Sequence, residues 1–230
     1  MRRLEAMGFA ILFVTNNSTT TPHLVAQRIS QMSGYEALAE QVLGSAEAAA
    51  TILESDKPET MVVGGAGIEE ALLARSIPMT DDPSVAGAVV VGLDRAFSYA
   101  KLDAAATAIR NGARFIATNT DITFPGADGI HPGAGAIVAA IEAASGVHPV
   151  VAGKPHSAIR ALIRQRLRPG PVWVVGDRPD TDLALARAER WHAALVLTGI
   201  ASSEDDVPKG LEPDLIVESI ASLPERIDPA

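Results

Sequence analysis

Val172-Trp-Val-Val-Gly-Asp-Arg-Pro-Asp-Thr-Asp182 decides how this chain is read. An apolar, β-branched run ends in Gly176, the carboxylates of Asp177, Asp180 and Asp182 follow, and a helical pattern resumes at Leu183. Parallel strands of α/β sheets read as continuous apolar runs, and ligands gather outside their carboxyl ends. Asp177 is therefore expected at a strand mouth, with Asp180 and Asp182 just beyond it. Hard oxygen donors in that place suit Mg²⁺ and, through it, a phosphate. A second reading stands beside this one: Asp180 or Thr181 N-caps the next helix, and the acids complement its dipole.

Outward from this stretch, strand and helix patterns alternate almost throughout. Strand candidates are Phe9–Val14, Thr60–Gly64, Ala88–Gly92, Arg114–Thr118, Val150–Ala152, Val172–Gly176, Ala194–Thr198 and Asp214–Val217. Helical stretches separate most of them, among them Pro22–Ser33, Ser157–Arg166 and Asp182–Trp191. Thr21-Pro22 at a helix start and Gly34 at its end are proper punctuation. Single helices between strands imply βαβ crossovers and mainly parallel sheets, so the class is α/β. At the start, Arg2–Gly8 reads as the last turns of an amphipathic helix capped by Gly8.

Composition narrows the function. The chain has 230 residues, 47% hydrophobic and 20% charged, with a formal net charge of −9. That balance argues against nucleic acid as the main partner, because phosphate-backbone binding needs clustered Lys and Arg. Without cysteine there is no disulfide, thiolate metal site or cysteine nucleophile, which fits a reducing cytoplasm. No stretch is long enough to span a membrane, and the opening apolar run lacks a cleavage site and runs into polar Thr15-Asn16-Asn17. His23, His131, His148, His156 and His192 are too dispersed for a metal site by spacing, and Trp173 and Trp191 are expected in the core.

Two further strand ends carry chemistry. Phe9–Val14 runs into Thr15-Asn16-Asn17-Ser18, whose hydroxyl and exposed backbone N–H groups suit phosphoryl oxygens. Taken alone this is also an ordinary turn. Gly153-Lys154-Pro155 follows the short strand at Val150, so Lys154 stands at another strand terminus, where it neutralises a phosphate or carboxylate or is simply solvated.

Together, Phe13-Val-Thr-Asn-Asn-Ser18, Gly153-Lys-Pro-His156 and Gly176-Asp-Arg-Pro-Asp-Thr-Asp182 resemble motifs II, III and IV of the haloacid dehalogenase superfamily. The likeness is to its NagD-like, nitrophenylphosphatase-type branch (subfamily IIA) with a C2 cap. Ala117-Thr-Asn-Thr-Asp-Ile-Thr-Phe-Pro125, Pro132-Gly-Ala-Gly-Ala-Ile137 and Val91-Gly-Leu-Asp-Arg95 with Tyr99 and Lys101 are similar to the cap motifs of that branch. The resemblance implies a Rossmann-like parallel-sheet core from residues 1–57 and 150–230, with an inserted α/β cap at 58–149. It implies that Thr15 binds the transferred phosphoryl group, helped by the Asn16 and Asn17 backbone, and that Lys154 balances charge. Asp177 would hold Mg²⁺, and Asp182 would orient a metal-bound water or Lys154. Asn119 and Asp121 would project from the cap and help select a small phosphate ester. Relatives of this kind also imply a possible homodimer through the cap.

The sequence departs from the family at motif I. No Asp-x-Asp precedes Thr15, so the aspartate that would form the aspartyl-phosphate and the first core strand are expected outside this chain. Loss of a covalent nucleophile costs on the order of a million-fold in turnover. The leading expectation is a Mg²⁺-dependent phosphomonoesterase represented without its first catalytic strand; the alternative is a non-catalytic protein that senses a phosphorylated metabolite. A third reading takes Val62-Val-Gly-Gly-Ala-Gly67 as a dinucleotide-binding turn, but Glu70 stands where the fingerprint needs its third glycine.

Overall fold

The computed structural model describes residues 1–126 and 128–227. In chain order it begins with α1 (Arg2–Ala6), β1 (Phe13–Thr15), α2 (Pro22–Ser33), β2 (Val42–Gly44) and α3 (Ser45–Leu53). A βα series follows: β3 (Thr60–Val63), α4 (Ala66–Leu73), β4 (Ala88–Val91), α5 (Tyr99–Arg110) and β5 (Arg114–Ala117). Next come β6 (Thr123–Gly126), β7 (Gly129–Pro132), α6 (Ala134–Ser145) and β8 (Val150–Val151). The last elements are α7 (Ser157–Arg166), β9 (Trp173–Gly176), α8 (Ala184–Glu189), β10 (His192–Val196) and β11 (Leu215–Val217). The chain divides into two compact units, one of Phe13–Gly153 and one of Met1–Leu12 with Lys154–Ala230.

In the Phe13–Gly153 unit, β3, β4, β5 and β8 form a parallel sheet in that order. Alternation along the strands explains its packing: Met61, Val63, Val89, Val91, Phe115 and Ala117 share one face. That face meets Ala105, Ala108, Ile109, Val138 and Ile141 of α5 and α6. The intervening residues Ala88, Val90 and Ile116 are buried as well, so both faces are covered, as continuous apolar strands require. Each Val, Ile or Phe so buried contributes about 1.5–3 kcal/mol. In the same unit β1 and β2 form a parallel pair, Thr15 opposite Gly44, and β6 and β7 form an antiparallel hairpin.

In the other unit the parallel order is β11-β10-β9. One sheet face packs Val174, Ala193, Leu195 and Ile216 with Leu183 and Ala186. The opposite face gathers Trp173, Val175, Ala194 and Leu215 with Leu4, Met7, Phe9 and Ile11. This corrects the expected strand Phe9–Val14, of which only Phe13 and Val14 are extended into β1. Phe9 and Ile11 instead lay apolar side chains on the sheet face, where burial stabilises them. Helix α1 ends near the expected place, with Gly8 at φ +98° beyond its Met7 cap. The expected helix Asp182–Trp191 is split into a π-helical turn over Pro179–Leu183 followed by α8. Trp173 and Trp191 are half-buried rather than core residues, and Trp173 stacks on His192 at 4.7 Å between ring centres.

Candidate active site

The Phe13–Gly153 unit builds a polar knot at the end of β1. Thr15 Oγ1 accepts the Asn17 N–H at 3.1 Å. Asn17 Oδ1 in turn accepts both the N–H and the hydroxyl of Thr19, at 3.0 and 2.7 Å, so the turn is held by its own side chains. Asn16 is 9% exposed. Its carbonyl accepts the Ser45 hydroxyl and the Asn119 amide, both at 2.7 Å. Its own amide faces the Asp121 carboxylate at 3.4 and 3.5 Å. The Ser18 and Thr118 hydroxyls are 3.0 Å apart. Three segments distant in sequence, the ends of β1 and β5 and the start of α3, are thus joined through one backbone carbonyl. Asn119 is buried in this knot, and its side-chain oxygen accepts the Asp121 N–H at 3.1 Å.

A cavity of about 610 Å³ opens beside the knot, lined by Asn16, Asn17, Arg28, Arg95, Asp121 and Phe124 among others. Arg95 lies over the Phe124 ring at 5.6 Å from its centre, and Phe124 stacks on His131 at 5.5 Å. Sequence reasoning missed Arg28, which comes from α2 and carries no local motif, and gave no role to Phe124 of the β6–β7 hairpin, although it lies within the quoted 117–125 stretch. The glycine stretch at 64–67 does not form an open phosphate turn. A β-carbon on Gly67 would lie 2.5 Å from the Thr20 carbonyl oxygen and 2.7 Å from that of Ser18. The glycine there admits the chain's own loop.

In the other unit, Asp177 follows β9 and its Oδ2 accepts the Ile200 N–H at 2.8 Å. A β-carbon on Gly199 would overlap the Asp177 carboxylate, so this close approach requires glycine. Lys154 Nζ lies 2.6 Å from Asp182 Oδ1, with side chains 12% and 8% exposed. Asp182 Oδ2 accepts the Arg178 N–H at 3.2 Å, and the π-helical turn places the Asp182 N–H 2.7 Å from the Arg178 carbonyl. Asp180 pairs with the Arg178 guanidinium at 3.2 Å. Neither Asp180 nor Thr181 caps a helix here: Arg178 is the N-cap residue and no side chain supplies the cap bond. The capping part of the second reading of this stretch therefore gives way, while Asp180 and Asp182 do stand in the first turn, where acids complement the dipole. His156, next to Lys154-Pro155, has its pKa lowered by partial desolvation and by the Arg160 guanidinium.

Residues 1–77 match the family model described as haloacid dehalogenase-like hydrolase, and residues 151–223 match a HAD-hydrolase-like model. An acid sugar phosphatase of Staphylococcus saprophyticus is 39% identical over 221 residues, which is 94% of this chain and 85% of that protein. The chain belongs to the haloacid dehalogenase-like hydrolases. Within them it falls in subfamily IIA, the NagD-like, nitrophenylphosphatase-type branch, and by family it is a phosphatase, a hydrolase acting on phosphate esters. Solved structures agree. A p-nitrophenyl phosphatase from Archaeoglobus fulgidus superposes with a TM-score of 0.89 at 33% identity, over 98% of this chain and 89% of that one. A glycerol phosphate phosphatase from Mycobacterium tuberculosis, solved in complex with magnesium, gives 0.87 at 34% identity, over 96% and 69%. The α/β fold with parallel sheets expected from the sequence is the fold of these haloacid dehalogenase-like hydrolases. Among the described residues, no helix is long and apolar enough to cross a membrane.

Proposed function

We propose that this chain binds a small phosphomonoester together with Mg²⁺ at a phosphatase-type site, with Thr15, Lys154, Asp177 and Asp182 as its working side chains, while the aspartyl-phosphate step of the family falls to none of its own residues. The Asp177 carboxylate carries the reading. One of its oxygens is fixed by the Ile200 N–H, and the other accepts no hydrogen bond among the described residues. Such a single preoriented carboxylate fits Mg²⁺, which binds through one or two carboxylates and otherwise keeps water and substrate phosphate. When bound, the ion would neutralise charge on the phosphoryl oxygens. Among the described residues no group of three or more acids and histidines forms a closed metal cage, as that open coordination allows.

The chain's own groups complete the demand of phosphoryl transfer, which is positioning and charge neutralisation. Thr15 uses its acceptor side for the Asn17 N–H, so its hydroxyl proton is left to donate to a phosphoryl oxygen. Lys154, held by Asp182, supplies positive charge at low exposure. Asn119 would act through Asn16, and Asp121 at the cavity wall, within a cap at 58–149 set into a core of 1–57 and 150–230. A cytoplasmic location and a homodimer through the cap belong to the same proposal. Glu5 is the only acid before Thr15, and no residue of the 230 is assigned the covalent step.

The relatives' names, acid sugar, glycerol phosphate and p-nitrophenyl phosphatase, support a small phosphate ester as ligand. Calorimetry with inorganic phosphate tests the reading: binding should require Mg²⁺ and weaken at least about tenfold in Asp177→Asn. Absence of any phosphate binding would remove it. Release of p-nitrophenol should stay at background, on the order of a million-fold below an enzyme that carries a nucleophilic aspartate. Turnover at ordinary phosphatase rates would remove the expected inactivity and, with it, the alternative of a non-catalytic protein that binds a phosphorylated metabolite.

A further inference from the structure

We propose that Arg28 and Arg95 read a second anionic group on the phosphate ester, placed on the side of the molecule away from the transferred phosphoryl group. The proposal rests on the phosphatase reading and narrows its substrate to a phosphate ester that bears a carboxylate or a second phosphate.

Four observations carry it. Arg28 on α2 and Arg95 after β4 come from distant parts of the chain, yet both line the same cavity as Asn16 and Asn17. Neither guanidinium has a carboxylate partner among the described residues. Arg75, Arg114, Arg164 and Lys101, by contrast, each have one. Arg95 is held instead over the Phe124 ring at 5.6 Å. A cation–π contact of this kind uses none of the guanidinium N–H donors, which stay available for bidentate recognition of a carboxylate or phosphate. Finally, Asp121 is the only carboxylate among the lining residues, and it faces the Asn16 amide at 3.4 and 3.5 Å.

Size agrees with charge. A cavity of about 610 Å³ is larger than a phosphoryl group needs, and it lies within the range of roughly 300–1,000 Å³ common for small-molecule sites. With Asn16, Asn17 and two guanidiniums in its lining, it suits a ligand that carries a second anionic group. A neutral alcohol or sugar tail would leave both guanidiniums without a counter-charge.

Binding to the 230-residue chain, measured by calorimetry with Mg²⁺ present, tests this without turnover. Two pairs of compounds differ in the second anion: 3-phosphoglycerate against glycerol 3-phosphate, and fructose 1,6-bisphosphate against fructose 6-phosphate. In at least one pair the doubly anionic member should bind about tenfold tighter or more, the scale of a charge-assisted bidentate contact. The pair that shows the gap identifies carboxylate or phosphate. Arg95→Gln and Arg28→Gln should each shrink that gap to within about threefold while leaving inorganic phosphate affinity unchanged. Both side chains are exposed and unpaired, so the variants are expected to fold, and their melting temperatures check this. Equal affinities within both pairs, or a gap that persists in both variants, would overturn the proposal while the phosphatase reading stands. Failure of inorganic phosphate and of every ester to bind would remove both together.

Discussion

Lys154 and Asp182 show what a single shielded pair does. Their charged atoms are 2.6 Å apart and both side chains are nearly buried. An ion pair out of water gains little net stability, because desolvation offsets the attraction, but removing one member takes a counter-charge from a poorly solvated partner, at about 3–5 kcal/mol. Asp182→Ala also releases the Arg178 N–H from its acceptor. It should therefore lower unfolding free energy by about 3 kcal/mol in urea titration. The double variant Lys154→Met with Asp182→Leu should lose much less than the sum of the single changes. A loss under about 1 kcal/mol for Asp182→Ala would show that solvent screens the pair. Gly199 makes the neighbouring case. Its missing side chain leaves room for the Asp177 carboxylate. Gly199→Ala must push that carboxylate aside, with an expected loss of roughly tenfold or more in Mg²⁺ affinity. Calorimetry that returned an unchanged affinity would separate Gly199 from metal binding.

Helix α3 carries a prediction of its own. The Gly44 N–H at its start donates to Glu47 Oε2 at 2.9 Å, which closes half of a capping box. Burial pushes the Glu47 carboxyl above its ordinary value of 4.5, although the hydrogen bonds and Arg75 pull the other way. An acid raised in the folded state favours folding below its unfolded pKa, and that contribution is lost as pH climbs through the raised value. Glu47→Gln keeps an oxygen for the Gly44 N–H and cannot ionise. Its stability relative to the parent should rise between pH 4 and pH 8 in urea titrations, whereas Glu47→Ala should lose about 1 kcal/mol of capping. A Gln-minus-parent difference that stays flat over that range would sink this account. Elements with chemical punctuation were the ones legible in the sequence. Helix α2 has the expected ends because Thr21 accepts the Leu24 N–H at 3.4 Å and Gly34 sits at φ +66°. By contrast, β2 has three residues and no room for alternation, and Pro125 in β6 removes a ladder donor, which argues against a strand. The same contrast holds in the candidate site. Thr15, Lys154 and Asp177 each follow an apolar run and could be read locally. Arg28 and Phe124 share a site only because α2 and a hairpin line the same cavity.

Over the whole molecule, ligand binding and stability are linked. A ligand that binds the folded but not the unfolded chain adds about 2.7 kcal/mol at a hundredfold excess over its dissociation constant. For a chain of 230 residues, each kcal/mol moves the melting temperature by about 2–4 °C. Saturating Mg²⁺ with inorganic phosphate should therefore raise the melting temperature by about 5–10 °C, and chelation should return it to the starting value. One competing cause must be separated. The formal net charge is −9, so any divalent cation also relieves self-repulsion by screening. Screening does not depend on a single carboxylate, but site binding does. Asp177→Asn removes one of 28 acidic side chains and leaves the rest of the surface charge in place. If Asp177 holds the ion, the variant should keep at most a degree or two of the rise at matched ionic strength, while Arg95→Gln should keep all of it. A rise of equal size in Asp177→Asn would assign the effect to the acidic surface as a whole and take Asp177 out of the metal site.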